Sequence, residues 1–318
     1  MLCPYLNAMT LVSIITPSYN QAKYLEQTIL SVLEQDYPRM EYIVVDGAST
    51  DGSVEIIKKY ADRLAHWESV KDDGQADAIN KGFAHATGEI VAWLNSDDYY
   101  LPGTISAAVK VFEENPDVVL VYANMLAVDE SGQTFNTLTY KQLTLEDLLC
   151  FQIIGQPAVF MRRSALQKTS GLDLTFHFLL DHLLWIKIAK QGRILHINQT
   201  WSAARYHAEA KNVAKAAEFG REAFRILETI AQDKDLASTL HKIDRRAHAS
   251  AFRVDARYLL DGGLPGKALS AWFRALFIYP PVALKRMNIF GSSILNLLGL
   301  GKLRELVLQR RKKQQKAK

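Results

Sequence analysis

The chain has 318 residues, 48% of them hydrophobic and 23% charged, with a formal net charge of +4. This is the composition of an ordinary globular protein with apolar material for one large core or two smaller ones, and it excludes a disordered tail. So small a net charge gives no uniform basic field, which argues against nucleic acid as a partner. Two cysteines, Cys3 and Cys150, are too few for a disulfide framework or a Cys-rich zinc site.

Residues 1–9 lack the basic start and long apolar run of a secretory signal, so a cytoplasmic location is expected. The basic character is concentrated at the other end. Residues 302–318 carry eight Lys or Arg against the single Glu305, a local +7 that leaves about −3 for everything upstream.

Taken in order, residues 11–16 form a short apolar β-branched run, 24–33 carry apolar residues at helical spacing, and 42–45 read as another buried strand. The alternation continues with helices over 54–64 and 76–85, a strand over 90–94, a helix over 105–112 and a strand over 118–122. Strands apolar throughout and separated by helices imply a mostly parallel sheet covered on both faces, an α/β architecture in which ligands bind at the carboxyl ends of the strands.

Beyond about residue 208 the alternation stops. Residues 213–230 have helical periodicity, and 247–279 read as two helices broken at Gly262-Gly263-Leu264-Pro265-Gly266. That pair resembles one tetratricopeptide-type hairpin, but a solenoid needs neighbouring repeats, so a helical cap is the preferred reading. The expected division is a domain over 1–207 and a helical region with a basic tail over 208–318. Residues 287–308 are apolar but too interrupted by Asn288, Asn296, Lys302, Arg304 and Glu305 to span a bilayer. Beside the basic tail they suit either contact with an anionic membrane surface or a packed helix with a solvated end.

Polar loops gather where the strands end. Thr16-Pro17-Ser18-Tyr19-Asn20 follows the first strand, Asp46-Gly47-Ala48-Ser49-Thr50-Asp51-Gly52-Ser53 follows the second, and Asn95-Ser96-Asp97-Asp98 follows Val91-Ala92-Trp93-Leu94. Adjacent carboxylates disfavour one another's ionisation unless a cation compensates them. A divalent ion such as Mn²⁺ or Mg²⁺, which keeps positions for substrate phosphate oxygens, fits that need. A solvated turn with Asp as helix cap is the competing reading. Asp46 can accept hydrogen bonds from a nucleobase imide or a ribose hydroxyl, and the loop of Thr16, Pro17, Ser18 and Tyr19 offers backbone groups and an aromatic face. Asp73 and Asn80, flanking the next helix start, are further donor-binding candidates, although an acid before Gly74 also makes turns.

These three segments, with Asp72-Asp73-Gly74-Gln75-Ala76-Asp77-Ala78-Ile79-Asn80-Lys81-Gly82 between the last two, resemble the family 2 glycosyltransferases of the GT-A fold. Gly155-Gln156-Pro157-Ala158-Val159-Phe160 and Leu180-Asp181-His182-Leu183-Leu184-Trp185 are similar to the family's acceptor-side segments, so the resemblance covers roughly residues 10–207. Two departures stand out: Ile79 where many members carry an Arg, and Asn95 in place of the first acid of an Asp-x-Asp pattern.

The resemblance implies an inverting glycosyltransferase of hexosyltransferase type, with a nucleotide-sugar donor, UDP-sugar foremost, and a saccharide or lipid-linked acceptor. It places Asp97 on the metal and diphosphate with Asp98 as a supporting ligand, and His207, in an Arg-x-His spacing, as a further metal or diphosphate ligand. Asp181, at the start of an amphipathic helix, becomes the general base, the competing reading being an N-cap. Gln156 and Trp185 would line the acceptor side, Trp185 being equally plausible as core. A binding or scaffold module keeping the fold without turnover is the alternative that Asn95 and Ile79 leave open.

Overall fold

The computed structural model describes residues 9–207 and 218–300. These fall into two compact units, one of residues 9–148 with 153–207, the other of 149–152 with 218–300.

The first unit is built on one sheet. Its main path runs β3 (His66–Ser69), β2 (Met40–Asp46), β1 (Val12–Ser18), β4 (Ile90–Trp93), β8 (Val159–Arg162), β6 (Val118–Val128), β9 (Arg193–Arg205) and β5 (Tyr99–Tyr100), and β7 (Thr134–Leu138) pairs with β6. Strand β1 pairs in parallel with both β2 and β4, β2 with β3, and β6 with β9. Strand β8 lies antiparallel between β4 and β6, and β5 and β7 are antiparallel additions. The sheet is thus mostly parallel.

The apolar runs are explained by burial on both faces. Every residue of β1 and of β4 is buried. Helix α1 (Ala22–Leu33) turns Leu25, Ile29 and Val32, at i, i+4 and i+7, into a cluster with Val12, Ile14 and Val44, where α4 (Thr104–Glu114) adds Ile105, Val109 and Phe112. Ile15 points the other way, against Gly82 of α3 (Gln75–His85), so closely that any Cβ there would collide with it. Helices therefore cover both sides of β1.

The differences from the sequence reading lie at sheet margins and helix ends. The helix expected over 54–64 is α2 (Ser53–Lys59) followed by a single 3-10 turn, Ala61–Arg63. Strand β3 is half-buried along its whole length and its His-Trp-Glu-Ser sequence carries no apolar alternation, so pairing with β2 and not pattern makes it a strand. The strand expected over 118–122 continues to Val128, and the stretch 200–204 is the end of the 13-residue β9.

In the second unit the helix expected to begin at 247 starts at Lys234 and runs to Asp261, its first turn capped by the Asp233 carboxylate, which accepts from the N–H groups of Asp235 and Leu236. Helix Phe219–Ala231 precedes it; residues 213–217 of the helix expected there lie outside the described residues. The break at 262–266 is present. Gly263 takes φ +75° and Leu264 N–H returns to the Leu259 carbonyl, after which Pro265 opens helix Pro265–Ile278. Ala249, Ala256, Ala268, Ala271 and Ala275 let these helices approach closely, and Trp272 seals the packing by donating its Nε1–H to the Ala283 carbonyl at 3.1 Å. Short helices Pro280–Leu284 and Met287–Leu297 follow, and 301–308 lie outside the described residues. Among the described residues no helix is long and apolar enough to cross a membrane.

Candidate active site

Because β1, β2 and β4 run in one direction, the three polar loops leave one edge of the sheet, with Ser18 paired to Asp46 at the last rung of β1 and β2. The first two loops are laced together. Gly47 N–H donates to the Ser18 carbonyl at 2.9 Å, Asn20 N–H to Ser49 Oγ at 2.8 Å, Thr50 N–H to Asn20 Oδ1 at 2.9 Å, and Gln21 N–H to Ser53 Oγ at 3.1 Å. Asp51 closes the lacing by accepting from Ala22 N–H at 2.9 Å and from Ser53. Burial alone would raise the Asp51 pKa, but these donations outweigh it and hold the carboxyl below its ordinary range. Tyr19 stands out of this rim, 62% exposed, while Ser18 is buried and its hydroxyl has no protein partner.

After β4 the turn bends back on itself, Asp98 N–H bonding the Asn95 carbonyl, and presents two carboxylates in different surroundings. Asp97 is partly open, and its Oδ2 lies 3.0 Å from His207 Nε2, whose ring is nearly enclosed beside Tyr24. Asp98 is buried; its Oδ1 accepts from Arg205 N–H at 3.0 Å and its Oδ2 from Asn95 Nδ2 at 3.3 Å. Burial, then the charge of Asp97, push the Asp98 pKa well above the usual carboxylate range.

Arg205, which sequence reading treats only as a neighbour of His207, organises this turn. Its Nε donates to the Asp97 carbonyl, Nη1 to the carbonyls of Asp129 and Glu130, and Nη2 to Gln27 Oε1, while the guanidinium lies over the Tyr24 ring at 4.7 Å. A cation two residues before a candidate ligand at a strand end was the available signal. Its carbonyl partners leave no trace in sequence.

A third group links the turn to the acceptor-side segments. Gln75 Nε2 donates to Asn95 Oδ1 at 2.9 Å, Asn95 Nδ2 to Gln156 Oε1 at 3.0 Å, and Gln156 Nε2 to the Trp93 carbonyl at 2.8 Å. Asn95, the residue that departs from the Asp-x-Asp pattern, is thus a two-way amide hub. Gly155 abuts the Tyr140 hydroxyl, and the Tyr140 phenol is pushed up by burial and then by the charges of Tyr206 and Asp181. Asp181 sits in the first turn of α5 (Leu180–Ala189), where its Oδ1 accepts from His182 N–H at 2.7 Å.

Several expected site residues turn out to have structural partners. Trp185 is 1% exposed and stacked on Trp93 with ring centroids 5.0 Å apart, so it belongs to the core and does not line an acceptor cleft. Thr16 is buried and accepts from the Tyr42 hydroxyl. Asp46 is fully buried with three donors, Ser49 N–H, Ser49 Oγ and Ser69 Oγ, on its two oxygens, so it organises the loop from within. Asp98, expected as a supporting metal ligand, has its two oxygens engaged by Arg205 N–H and Asn95 Nδ2. Asp73 is exposed and Pro17 buried. Asn80 clamps the backbone of Leu172 through both halves of its amide, Nδ2 to the carbonyl at 2.8 Å and Oδ1 from the N–H at 2.9 Å. Replacing Asn80 with Ala is therefore expected to destabilise the fold by about 1–3 kcal/mol, through two backbone groups left unpaired. Urea denaturation beside calorimetry with nucleoside diphosphates checks this, nucleotide affinity staying unchanged.

Asp97 Oδ2 and His207 Nε2 are a hard oxygen and an imidazole nitrogen converging within bridging distance of one ion. No group of three or more His, Cys, Asp or Glu able to hold a metal occurs among the described residues. A two-ligand set fits Mg²⁺ or Mn²⁺, which complete their shells with water and substrate phosphate, and it does not fit a structural zinc site.

Comparison with known proteins bears on the family and the fold. The family model described as glycosyl transferase family 2 matches residues 13–170. A putative teichuronic acid biosynthesis glycosyltransferase, TuaG of Bacillus subtilis, is 31% identical over 192 residues, 58% of this chain and 75% of the relative. An uncharacterised glycosyltransferase of Nostoc is 29% identical over 220 residues, 64% of this chain and 67% of the relative. Among solved structures, S. aureus TarS in complex with UDP-GlcNAc superposes with a TM-score of 0.59 at 19% identity, over 87% of this chain and 91% of that one. A mannosyltransferase of Pyrobaculum calidifontis in complex with GDP-Man and Mn²⁺ gives 0.60 at 22%, over 91% and 87%. The fold is the GT-A fold expected from sequence, a mostly parallel sheet with a helical C-terminal region, and the chain, a glycosyltransferase, belongs to glycosyl transferase family 2.

Proposed function

We propose that the protein transfers a sugar from a UDP-sugar to a hydroxyl of a saccharide or lipid-linked acceptor, with inversion and with help from a divalent metal. The observation that carries this reading is the meeting of Asp97 Oδ2 and His207 Nε2 at 3.0 Å on the turn after β4, whose Asn95 is bonded to Gln156.

Asp97 and His207 would hold Mn²⁺ or Mg²⁺, which when bound neutralises charge on a departing nucleoside diphosphate. Arg205 fixes the Asp97 main chain, and Asp98, buried and bonded to Arg205 N–H and Asn95 Nδ2, braces the turn. Tyr19, exposed on the laced rim, offers an aromatic face to the base of the nucleotide. The acceptor hydroxyl is too weak an acid to attack unaided, so an oxygen of Asp181 takes its proton as the new glycosidic bond forms. The bond to the diphosphate breaks on the opposite face, and the leaving group keeps the electron pair, which inverts the anomeric centre. A lipid-linked acceptor would bring the chain to the inner face of a membrane, where the basic tail over 302–318, outside the described residues, could assist.

The test is hydrolysis and transfer across a panel of UDP-, GDP- and TDP-sugars with Mn²⁺, followed by excess chelator. Turnover of a UDP-sugar that chelator abolishes is expected. Binding of nucleoside diphosphate without turnover of any donor would favour the non-catalytic alternative.

A further inference from the structure

The second unit carries a face that glycosyl transfer does not use. Residues 264–300 contain Lys267, Arg274, Lys285 and Arg286 and no Asp or Glu. The same stretch holds an unusual concentration of exposed large apolar side chains, namely Phe273, Phe277, Leu284, Met287, Leu297 and Leu298, of which Phe277 is 80% and Leu298 66% exposed. They are held in place by the fold. Phe273 lies edge-on to Phe290, with centroids 6.0 Å apart, and Trp272 packs against the same ring at 4.9 Å, so helices Pro265–Ile278 and Met287–Leu297 are locked together. Phe277 continues the strip one turn beyond Phe273. Between two of the exposed apolar residues the chain reads Leu284-Lys285-Arg286-Met287, all four exposed, so cations flank the apolar strip.

We infer that this face is a docking surface for an anionic lipid bilayer. Apolar rings and leucines enter the boundary between headgroups and acyl chains, and flanking Lys and Arg meet anionic headgroups. Charge selects this occupant over a second copy of the chain. A self-complementary contact would set the exposed pair Lys285 and Arg286 against its own copy, whereas anionic lipid compensates both. The charge of the rest of the molecule agrees: residues 264–318 hold twelve Lys or Arg against one Glu, so the remaining chain has a net charge of about −7 and only this end is drawn to a negative surface.

The experiment is co-sedimentation of the full chain with vesicles of phosphatidylcholine alone and of phosphatidylcholine containing phosphatidylglycerol. The wild type should sediment with the anionic vesicles only. The double variant Phe277→Glu, Leu298→Glu should bind them about tenfold more weakly, with unchanged circular dichroism and unchanged turnover on a water-soluble acceptor. A chain ending at Leu300 should show the same dependence on Phe277 and Leu298. Equal binding of wild type and double variant would overturn the inference in favour of the tail alone. Equal binding to neutral vesicles would overturn it as well, as would a wild-type dimer in light scattering that the double variant converts to monomer with no change in lipid binding. Turnover is read separately, so failure of the catalytic proposal leaves this result interpretable.

Discussion

Replacing Asp181 with Asn is expected to lower kcat by about 10²- to 10⁴-fold, the contribution of a positioned general base. The substitution keeps shape and the oxygen that accepts the His182 N–H, so helix α5 retains that contact. It removes only the capacity to take a proton. The interior of α5 is packed by Leu183, Leu184, Trp185, Ile186 and Ile188, none of which the change touches, so the melting temperature should stay within the wild-type range. Nucleotide affinity should also stay, since the proposed donor contacts come from the loops after β1, β2 and β4. Single-turnover kinetics with saturating donor reads the step directly. An unchanged rate would move the base to another residue.

Asp97→Ala is the second large effect. Electrostatic help to the leaving diphosphate is worth several kcal/mol, and at about 1.4 kcal/mol per decade this predicts a loss of about 10²- to 10³-fold in turnover. Titration with Mn²⁺ should show a weakened apparent metal affinity, because His207 alone remains of the converging pair. The fold should persist: Asp97 is bound into the turn by its carbonyl, which Arg205 holds and which Ala retains. Asp98→Asn is the instructive companion. Its oxygens are already engaged by Arg205 N–H and Asn95 Nδ2, so an amide there should leave metal affinity nearly intact. Equal metal affinity in Asp97→Ala and wild type would refute the ligand assignment.

Much of the framework was legible because its cause is local. Strands β1, β2 and β4 are buried on both faces, and such burial writes itself as unbroken apolar runs. The strand ends, and with them Asp97, follow from those runs, whereas His207 follows β9, whose burial is mixed. The edge strands were not legible. Strand β7 is largely exposed and β5 is two residues long, so each owes its conformation to a neighbour. The site divided along the same line. Asn80 and Trp185 have a chemistry that suits a ligand, and what assigns them to structure is a partner remote in sequence: Leu172 in one case, Trp93 in the other. Arg205 escaped notice for the converse reason, since most of its acceptors are main-chain carbonyls, which every sequence contains.

The lacing between the first two loops also constrains how an anion can be received. At the entrance to α1 the amides of Asn20, Gln21 and Ala22 already point at Ser49, Ser53 and Asp51, and that last residue is itself an acid. A helix start so occupied offers no ready nest for phosphate, unlike the glycine-rich entrances that swaddle nucleotides with bare peptide dipoles. In the proposed mechanism the compensating positive charge is the cation at Asp97 and His207, so throughput would answer to ion supply.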